Sequence, residues 1–240
     1  MFEGLAEIIA ASDSIVFFGG AGVSTESGIP DFRSERGLYA AKAQYGRAPE
    51  ELLSHGFLMR EPALFFAYYR DNLVHPNAKP NAAHRALARL ESSGKLRAVV
   101  TQNIDGLHQA AGSKAVCELH GSIHRNFCMD CKAAYSLAYM LAAGEPIPRC
   151  EKCGGVVRPD VVLYGESLDE DTWSGAMRAI QSADALIVGG TSLSVYPAAG
   201  LLHYYRGNRL CLINKTKTPL DGAANLVIHD SIGSVLAAVV

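Results

Sequence analysis

Four of the six cysteines form two C-x-x-C pairs, and this spacing indicates a metal site. Cys128 and Cys131 form the first pair, Cys150 and Cys153 form the second, and eighteen residues separate the pairs. Four thiolates at this spacing are typical of Zn²⁺, and they fill all four positions around the ion. We therefore predict one structural zinc ion with no open position for a catalytic water.

Polar side chains also follow two short apolar runs that are predicted to be strands. Gln102, Asn103 and Asp105 follow one run, and His120 follows the next. Ligands of a parallel sheet bind beyond the carboxyl ends of its strands, so we expect these side chains in one crevice. Capping of the next helix would explain one of them but not three. Histidine titrates near neutral pH, which makes His120 the candidate general base. Four other histidines are expected to lack partners and to be inert: His55, His75, His84 and His203.

A glycine-rich turn, residues 19–25, follows the first predicted strand. Glycine permits a tight turn close to a pyrophosphate, and free N–H groups at the start of a following helix attract phosphates. Thr25 replaces the third glycine of the G-x-G-x-x-G pattern, so a purely structural turn remains an alternative on this motif alone. A glycine and a proline then interrupt the helix, which places Phe32 and Arg33 on a loop that can cover a cofactor.

Short apolar runs alternate with helical patterns along the chain, which is typical of an α/β fold with a doubly wound parallel (Rossmann-like) sheet. The predicted strands are residues 14–18, 97–101, 116–119, 185–188, 210–213 and 226–228. The predicted helices are residues 80–91, 166–182, 196–206 and 232–239.

Two longer segments do not fit the alternation and are predicted to form a smaller module. Residues 34–75 are interpreted as a helical insertion and residues 124–158 as a zinc-ribbon insertion. The Rossmann-like, cofactor-binding domain would then consist of residues 1–33, 76–123 and 159–240.

Composition limits the function classes. The chain has 240 residues, of which 49% are hydrophobic and 19% charged, so it can bury a packed core. A net charge of −2 does not supply the field that phosphate neutralisation requires, so no nucleic-acid partner is expected. Residues 185–205 are uncharged, but glycines and a proline divide them, so no membrane span is expected. The first residues do not have the pattern of a secretory signal, and we expect a cytoplasmic monomer.

Taken in order, these motifs resemble the bacterial type of the sirtuin (Sir2-like) family. The matching segments are residues 20–24, 28–33, 101–105, 120–121, 158–162, 164–166 and 190–193, together with the two C-x-x-C pairs. The resemblance covers nearly the whole chain, and so many motifs in one order are very specific. It implies an NAD⁺-dependent protein-lysine deacetylase that releases nicotinamide, O-acetyl-ADP-ribose and deacetylated lysine.

The resemblance also implies roles for individual residues. The residues expected to contact NAD⁺ are Ala21, Thr25, Phe32, Arg33, Gln102, Asn103, Ile104 and Asp105, with Thr191, Ser192, Asn214 and Ile232 on the adenosine half. Asp105 would face the nicotinamide carboxamide. His120 would take a proton from a ribose hydroxyl, with Asn103 as a second catalytic residue. Acetyl-lysine peptides or proteins would pair as an added strand with Val161, Val162 and Leu163.

The resemblance bears on the acyl group as well. Relatives that prefer succinyl or malonyl groups carry a Tyr-x-x-Arg pair on a helix of the small module. The corresponding residues here, 66–69, read Phe-Ala-Tyr-Tyr, so acetyl is favoured.

Three other functions are disfavoured by particular residues. A mono-ADP-ribosyltransferase on the same scaffold is disfavoured by the presence of His120. A non-catalytic NAD-sensing or zinc-binding module would not need Asn103, Asp105 and His120 in one crevice. A nicotinamide-dependent dehydrogenase is disfavoured by the incomplete glycine pattern and by the missing acidic ribose ligand.

Overall fold

The computed structural model describes residues 2–31, 45–142, 144 and 146–240. The predicted NAD⁺ contacts of Phe32 and Arg33 lie outside the described residues, as does the first part of the predicted helical insertion. These two contacts therefore stay predictions.

The described strands divide between a parallel and an antiparallel sheet. In chain order they are β1 (Ile15–Gly19), β2 (Leu96–Thr101), β3 (Val116–Glu118), β4 (Gly121–Cys128), β5 (Ala134–Ser136), β6 (Val157–Val161), β7 (Ala185–Gly189), β8 (Leu210–Ile213) and β9 (Leu226–Ile228). The first sheet has six parallel strands in the order β3-β2-β1-β7-β8-β9. All six of its strands begin and end within one residue of the predicted bounds. The predicted Rossmann-like fold is confirmed.

Helices cover both faces of the parallel sheet. In chain order the α-helices are α1 (Glu3–Ala10), α2 (Pro49–Leu52), α3 (His55–Arg60), α4 (Pro62–Asn72), α5 (Ala82–Ser92), α6 (Leu107–Ala110), α7 (Leu137–Ala142), α8 (Glu170–Ser182) and α9 (Ile232–Val239). One buried cluster joins α1, α5 and α9 to the sheet, and another joins α8 to the opposite face. Every residue of β1 and β7 is buried, which explains why these strands are continuously apolar in sequence. None of the described helices is both long enough and apolar enough to span a membrane.

The segment after β1 differs from the predicted helix. Ala21–Val23 and Thr25–Ser27 form two short 3₁₀ turns, and Gly28 ends the second in a left-handed conformation with φ 83°. No α-helix therefore follows the glycine turn directly, and the expected phosphate site at a helix start is replaced by 3₁₀ backbone.

Capping residues explain two further differences in helix bounds. Asn81 accepts hydrogen bonds from the backbone of Ala83 and His84, so α5 begins after it and not at residue 80. Asp169 accepts from the N–H of Thr172 at 2.8 Å, so α8 begins at Glu170 and not at residue 166. The helix predicted over residues 196–206 is a 3₁₀ helix over Ala198–Tyr204.

The antiparallel sheet belongs to a second structural layer. Its order is β5-β4-β6, which makes β6 an edge strand. A third buried cluster packs helices α3 and α4 against this sheet, with Phe57, Phe65 and Phe66 beside Ile123 and Val157. The core of the smaller module thus contains residues from both predicted insertions.

Candidate active site

A cavity of about 300 Å³ lies beyond the carboxyl ends of β1 and β2, between the parallel sheet and the smaller module. The sheet order reverses between β1 and β7, and such a reversal is where open α/β sheets bind their ligands. Nine of the predicted site residues line the cavity: Ala21, Gln102, Asn103, Ile104, Asp105, His120, Val161, Val162 and Leu163.

Side chains from two strand ends meet in one hydrogen-bonded group. The hydroxyl of Ser24 donates to Asp105 Oδ2 at 2.7 Å and accepts from Asn103 Nδ2 at 3.1 Å. The Asn103 N–H donates to the hydroxyl of Thr101, and Asp105 Oδ1 accepts from the N–H of Leu107. Asn103 and Ser24 are buried, so these bonds fix the orientation of the amide and the carboxylate.

One contact determines the proton position on His120. Its Nδ1 lies 3.0 Å from the carbonyl oxygen of Gln102. Because a carbonyl can only accept, Nδ1 carries the proton, and Nε2 of the neutral ring keeps a lone pair. Burial lowers the pKa of His120, and the hydrogen bond to Gln102 opposes this without reversing it. The ring is therefore neutral at pH 7 and able to accept a proton.

A partly buried ion pair supports the segment that follows β6. Glu166 accepts from both terminal nitrogens of Arg158, at 2.5 and 3.0 Å, and from the N–H of Leu163 at 2.8 Å. Arg158 also donates to the carbonyl of Val161 at 2.7 Å. His55 Nδ1 lies 2.8 Å from the Glu166 carboxylate, so the expectation that His55 lacks a partner is wrong. It is also wrong for His75, whose Nε2 lies 3.2 Å from the carbonyl oxygen of Asn72, and for His84, whose Nδ1 accepts from the N–H of Asn81 at 3.2 Å.

The same contacts determine the charge of Glu166. Burial alone would raise the pKa of its carboxyl group, but hydrogen bonds from Arg158, the Leu163 N–H and His55 outweigh burial and lower it to about 2. Glu166 is therefore ionised over the physiological range, and the segment 161–163 is held by charge-assisted bonds.

The predicted adenosine-side residues do not line the cavity but lie along the same sheet edge. Thr191 is buried after β7 and accepts from Gln102 Nε2 at 3.2 Å, whereas Ser192 is exposed and bonds to Ser194. Asn214 follows β8 and donates to the Thr216 carbonyl at 2.8 Å. Ile232 is buried at the start of α9.

The glycine turn is close to the loop after β7. A Cβ on Gly22 would lie 2.8 Å from the carbonyl oxygen of Gly190, and a Cβ on Gly190 would lie 2.4 Å from the nitrogen of Val23. Only glycine fits at these two positions. Thr25 donates to the Gly22 carbonyl at 3.0 Å, so it stabilises the turn.

The four paired cysteines converge in the smaller module. Their sulfur atoms all lie within 4.8 Å of one another, and two pairs, Cys128 with Cys153 and Cys131 with Cys150, are 3.5 Å apart. A tetrahedral Zn²⁺ with Zn–S bonds of about 2.3 Å places its sulfurs about 3.8 Å apart. The donor set and the spacing therefore fit one zinc ion.

Sequence reasoning missed several residues that organise this site. Ser24 stands in the glycine motif, but its contacts with Asn103 and Asp105 join positions 79 and 81 residues apart. Arg158 and Glu166 stand in motifs that were noted, but their pairing with each other and with His55 was not expected. The sequence did contain a signal for these contacts: Ser24, Arg158 and Glu166 are polar or charged residues within motifs that are otherwise apolar or glycine-rich.

Comparisons with known proteins agree with this geometry. The model of the Sir2 family matches residues 20–197. An NAD-dependent protein deacetylase of Clostridium acetobutylicum is 59% identical over 236 residues, covering 98% of this chain and 96% of the relative. A solved Sir2 structure with a p53 peptide and NAD⁺ has a TM-score of 0.88 at 34% identity, covering 100% of this chain and 97% of the other. A second, with deacetylated p53 peptide and 3′-O-acetyl ADP ribose, has a TM-score of 0.89 at 34% identity, covering 98% and 95%. With a family match over more than half of its length and a relative this similar along nearly all of it, the chain belongs to the Sir2 family.

Proposed function

We propose that this chain is an NAD⁺-dependent protein-lysine deacetylase that releases nicotinamide, O-acetyl-ADP-ribose and deacetylated lysine. The observation that carries the proposal is His120 in one cavity with Asn103 and Asp105, with its Nδ1 proton held by the Gln102 carbonyl. Membership of the Sir2 family and the similarity to NAD-dependent protein deacetylases support it.

The residues around the cavity suit NAD⁺. The close approach of Gly22 and Gly190 leaves backbone without side chains where a pyrophosphate would lie. The N–H groups of Ile104 and Asp105, adjacent in sequence to the Asp105 carboxylate, have no hydrogen-bond partner within the described residues. Free donors next to an acceptor match a carboxamide, which both donates and accepts. When bound there, NAD⁺ supplies a ribose carbon from which nicotinamide departs.

His120 then acts as the general base. Its Nε2 lone pair takes a proton from a ribose hydroxyl, and the Gln102 carbonyl stabilises the charge that the ring gains, through Nδ1–H. Asn103 is held by Ser24 and Thr101, so its amide presents a fixed dipole to the same part of the cavity. Both roles require that these side chains do not move during the reaction.

The acetyl-lysine peptide pairs with the edge that follows β6. The N–H of Val162 donates to the His120 carbonyl at 3.0 Å, which ties this segment to the base. Because β6 is an edge strand, an extended peptide can add to it through main-chain hydrogen bonds. Such binding depends little on the peptide sequence.

The test is an assay of purified protein with an acetyl-lysine peptide, with and without NAD⁺, that follows nicotinamide and peptide mass. We expect NAD⁺-dependent loss of acetyl, abolished in His120→Ala and retained in His203→Ala, a control at an exposed histidine. Nicotinamide release with a gain of peptide mass would instead indicate ADP-ribose transfer. An inactive wild-type protein that still binds NAD⁺ would contradict the proposal.

We further propose that acetyl is preferred over dicarboxylic acyl groups. Arg70, the arginine that follows residues 66–69 in sequence, donates to the carbonyl oxygens of Met140 and Pro146 and lies over the ring of Phe66. It does not line the cavity, nor does Tyr69, which is buried. The described residues that line the cavity include no lysine or arginine, so a succinyl carboxylate would enter without a cation from them, at a cost in binding free energy.

Peptides carrying acetyl or succinyl on the same lysine test this preference. We expect kcat/KM to be higher for the acetyl peptide by on the order of tenfold or more. If Arg70 read the carboxylate, Arg70→Gln would selectively remove succinyl activity, and that result would overturn the proposal.

A cytoplasmic monomer is also proposed. Reducing conditions keep the four metal-binding thiols available, which favours the cytoplasm. Among the described residues the large exposed apolar side chains are Met59, Leu141, Tyr164 and Tyr196, and both tyrosines border the cavity. Cell fractionation tests the cytoplasmic location, and light scattering of the purified protein tests the monomeric state.

A further inference from the structure

His124 lies outside the cavity on β4 and contacts the turn that carries Asp105. Its Nε2 is 2.9 Å from the carbonyl oxygen of Asp105. The preceding residue, Ile123, donates its N–H to the carbonyl of Ile104 at 3.0 Å. Two consecutive residues of β4 therefore hold two consecutive carbonyl groups of the turn.

The His124 ring also fits closely over Gly106. A Cβ on Gly106 would lie 2.7 Å from Cδ2 and 2.8 Å from Nε2 of the ring, closer than real Cβ atoms approach. Gly106 has φ 72°, which disfavours other residues at this position. The imidazole thus occupies the space where a side chain at position 106 would otherwise begin.

These contacts fix the two peptide planes on either side of Asp105. The bond from Ile123 holds the plane that contains the Asp105 N–H, and the bond from His124 holds the next plane. The Asp105 carboxylate is already held by Ser24 and Leu107. His124 is the only side chain among the described residues that bonds to the backbone carbonyl of Asp105.

We propose that His124 is a positioning residue for the carboxamide end of NAD⁺, an inference that rests on the proposed function. It acts through Asp105 and does not touch the reacting atoms. Because the acceptor is a carbonyl, Nε2 carries the proton in the neutral ring and also in the protonated ring. The contact therefore positions the turn in both charge states.

The test compares His124→Phe, which keeps a ring but loses the donor, with His124→Gln, whose amide can still donate. We expect His124→Phe to raise the KM for NAD⁺ and to weaken nicotinamide inhibition by about five- to tenfold, the effect of one hydrogen bond. ADP-ribose affinity and the KM for the acetyl peptide should stay within about twofold, because neither ligand carries the carboxamide. His124→Gln should restore most of the nicotinamide inhibition, and His203→Phe, at an exposed position, should change nothing.

A second variant tests the fit of the ring on the turn. Gly106→Ala should weaken nicotinamide inhibition in the wild-type background and weaken it less in a His124→Ala background, because the clash with the ring is gone. Unchanged nicotinamide inhibition in His124→Phe, or an equal loss of ADP-ribose affinity, would overturn the inference. Absence of NAD⁺-dependent deacetylation in the wild-type protein would contradict the proposed function instead. Failure of the His124 inference and failure of the proposed function are therefore distinguishable.

Discussion

At His120, burial and one hydrogen bond act on the pKa of the same imidazole in opposite directions. Burial disfavours the charged ring and dominates, while the Gln102 carbonyl favours it. The outcome is a ring that is neutral at pH 7 and has a stabilising partner ready when it gains a proton. This combination suits a base that must be free before the reaction and charged during it.

A pH profile of kcat/KM checks this account. A base works only when neutral, so activity should fall as pH drops through the pKa of His120 in the folded protein. That pKa lies below the ordinary value of about 6.5, so we expect a plateau from pH 7 upward and an acid limb centred below 6.5. A limb centred above pH 7 would contradict the assignment.

Glu166 gives a prediction of both stability and substrate affinity. Glu166→Gln leaves the buried Arg158 without its anion, which should lower the free energy of unfolding by about 3 kcal/mol. It should also raise the KM for the acetyl peptide, because Glu166 holds the Leu163 N–H. Denaturant titration and steady-state kinetics measure the two effects, and Glu170→Gln, exposed on the first turn of α8, is the control.

The pH dependence of this pair has a defined sign. The pKa of Glu166 is lowered in the folded state to about 2, so its contribution to stability is complete above the ordinary value of about 4.5. The contribution is lost as pH falls from about 4.5 towards 2. The stability difference between wild type and Glu166→Gln should therefore shrink over this range, and a constant difference would count against the ion pair.

At the scale of elements, two strands of the antiparallel sheet connect the cysteine cluster to the candidate active site. β4 begins at Gly121, directly after His120, and ends at the zinc-site residue Cys128. β6 ends at Val161, where the proposed peptide-binding segment begins. A zinc ion held by the four cysteines at one end of these strands would therefore stabilise the base and the proposed peptide edge at the other.

Metal removal tests this connection. We expect one zinc per chain by elemental analysis, and we expect Cys131→Ser or a strong chelator to reduce zinc content and acetyl-peptide turnover together. Cys117→Ser, at a cysteine outside the cluster, should retain both. Full turnover after complete loss of zinc would show that the strands hold their positions without the metal.

The sequence allowed the parallel sheet to be predicted but not the antiparallel one. Strands buried on both faces read as continuous apolar runs, and all six were located. β4 mixes polar and apolar residues and β6 contains Pro159, so neither has a clear strand pattern. The predicted first residues of α5 and α8 were wrong, because the N-cap residues Asn81 and Asp169 cannot be distinguished from first-turn residues by sequence alone.

The residues of the candidate site likewise fall into those that could be predicted from the sequence and those that could not. The rule that ligands bind at strand ends located Gln102, Asn103, Asp105 and His120 without any structure. No such rule links His124 to Asp105, because that contact depends on the direction in which β4 runs after β3. Residues brought together by tertiary packing were therefore missed, although their neighbours in sequence were found.

Considered as a whole molecule, the protein contains a buried pair of histidines in the main core. The rings of His84 and His108 are 4.7 Å apart, edge to face, and both side chains are almost fully buried. His84 Nε2 and both ring nitrogens of His108 have no partner among the described residues. Burial lowers the pKa of both rings, so the folded protein holds them neutral.

This pair should make the protein less stable in mild acid. Below about pH 6.5 the unfolded chain protonates both histidines while the folded chain does not, so stability falls with pH by up to about 1.4 kcal/mol per unit for each ring. Denaturant titration between pH 7 and 5 should show this slope, reduced in His108→Phe and unchanged in His203→Phe. An unchanged slope in His108→Phe would contradict the assignment.

The core of the smaller module also has a consequence for the order of folding. Its helical half ends near Val74 and its sheet half starts near Ile123, with α5, β2, α6 and β3 between them in sequence. Contacts across such a separation form slowly unless the intervening chain is already compact, because a long loop must close first. We expect the parallel sheet to form early and the smaller module to condense onto it late, so that catalytic competence appears last on the refolding pathway.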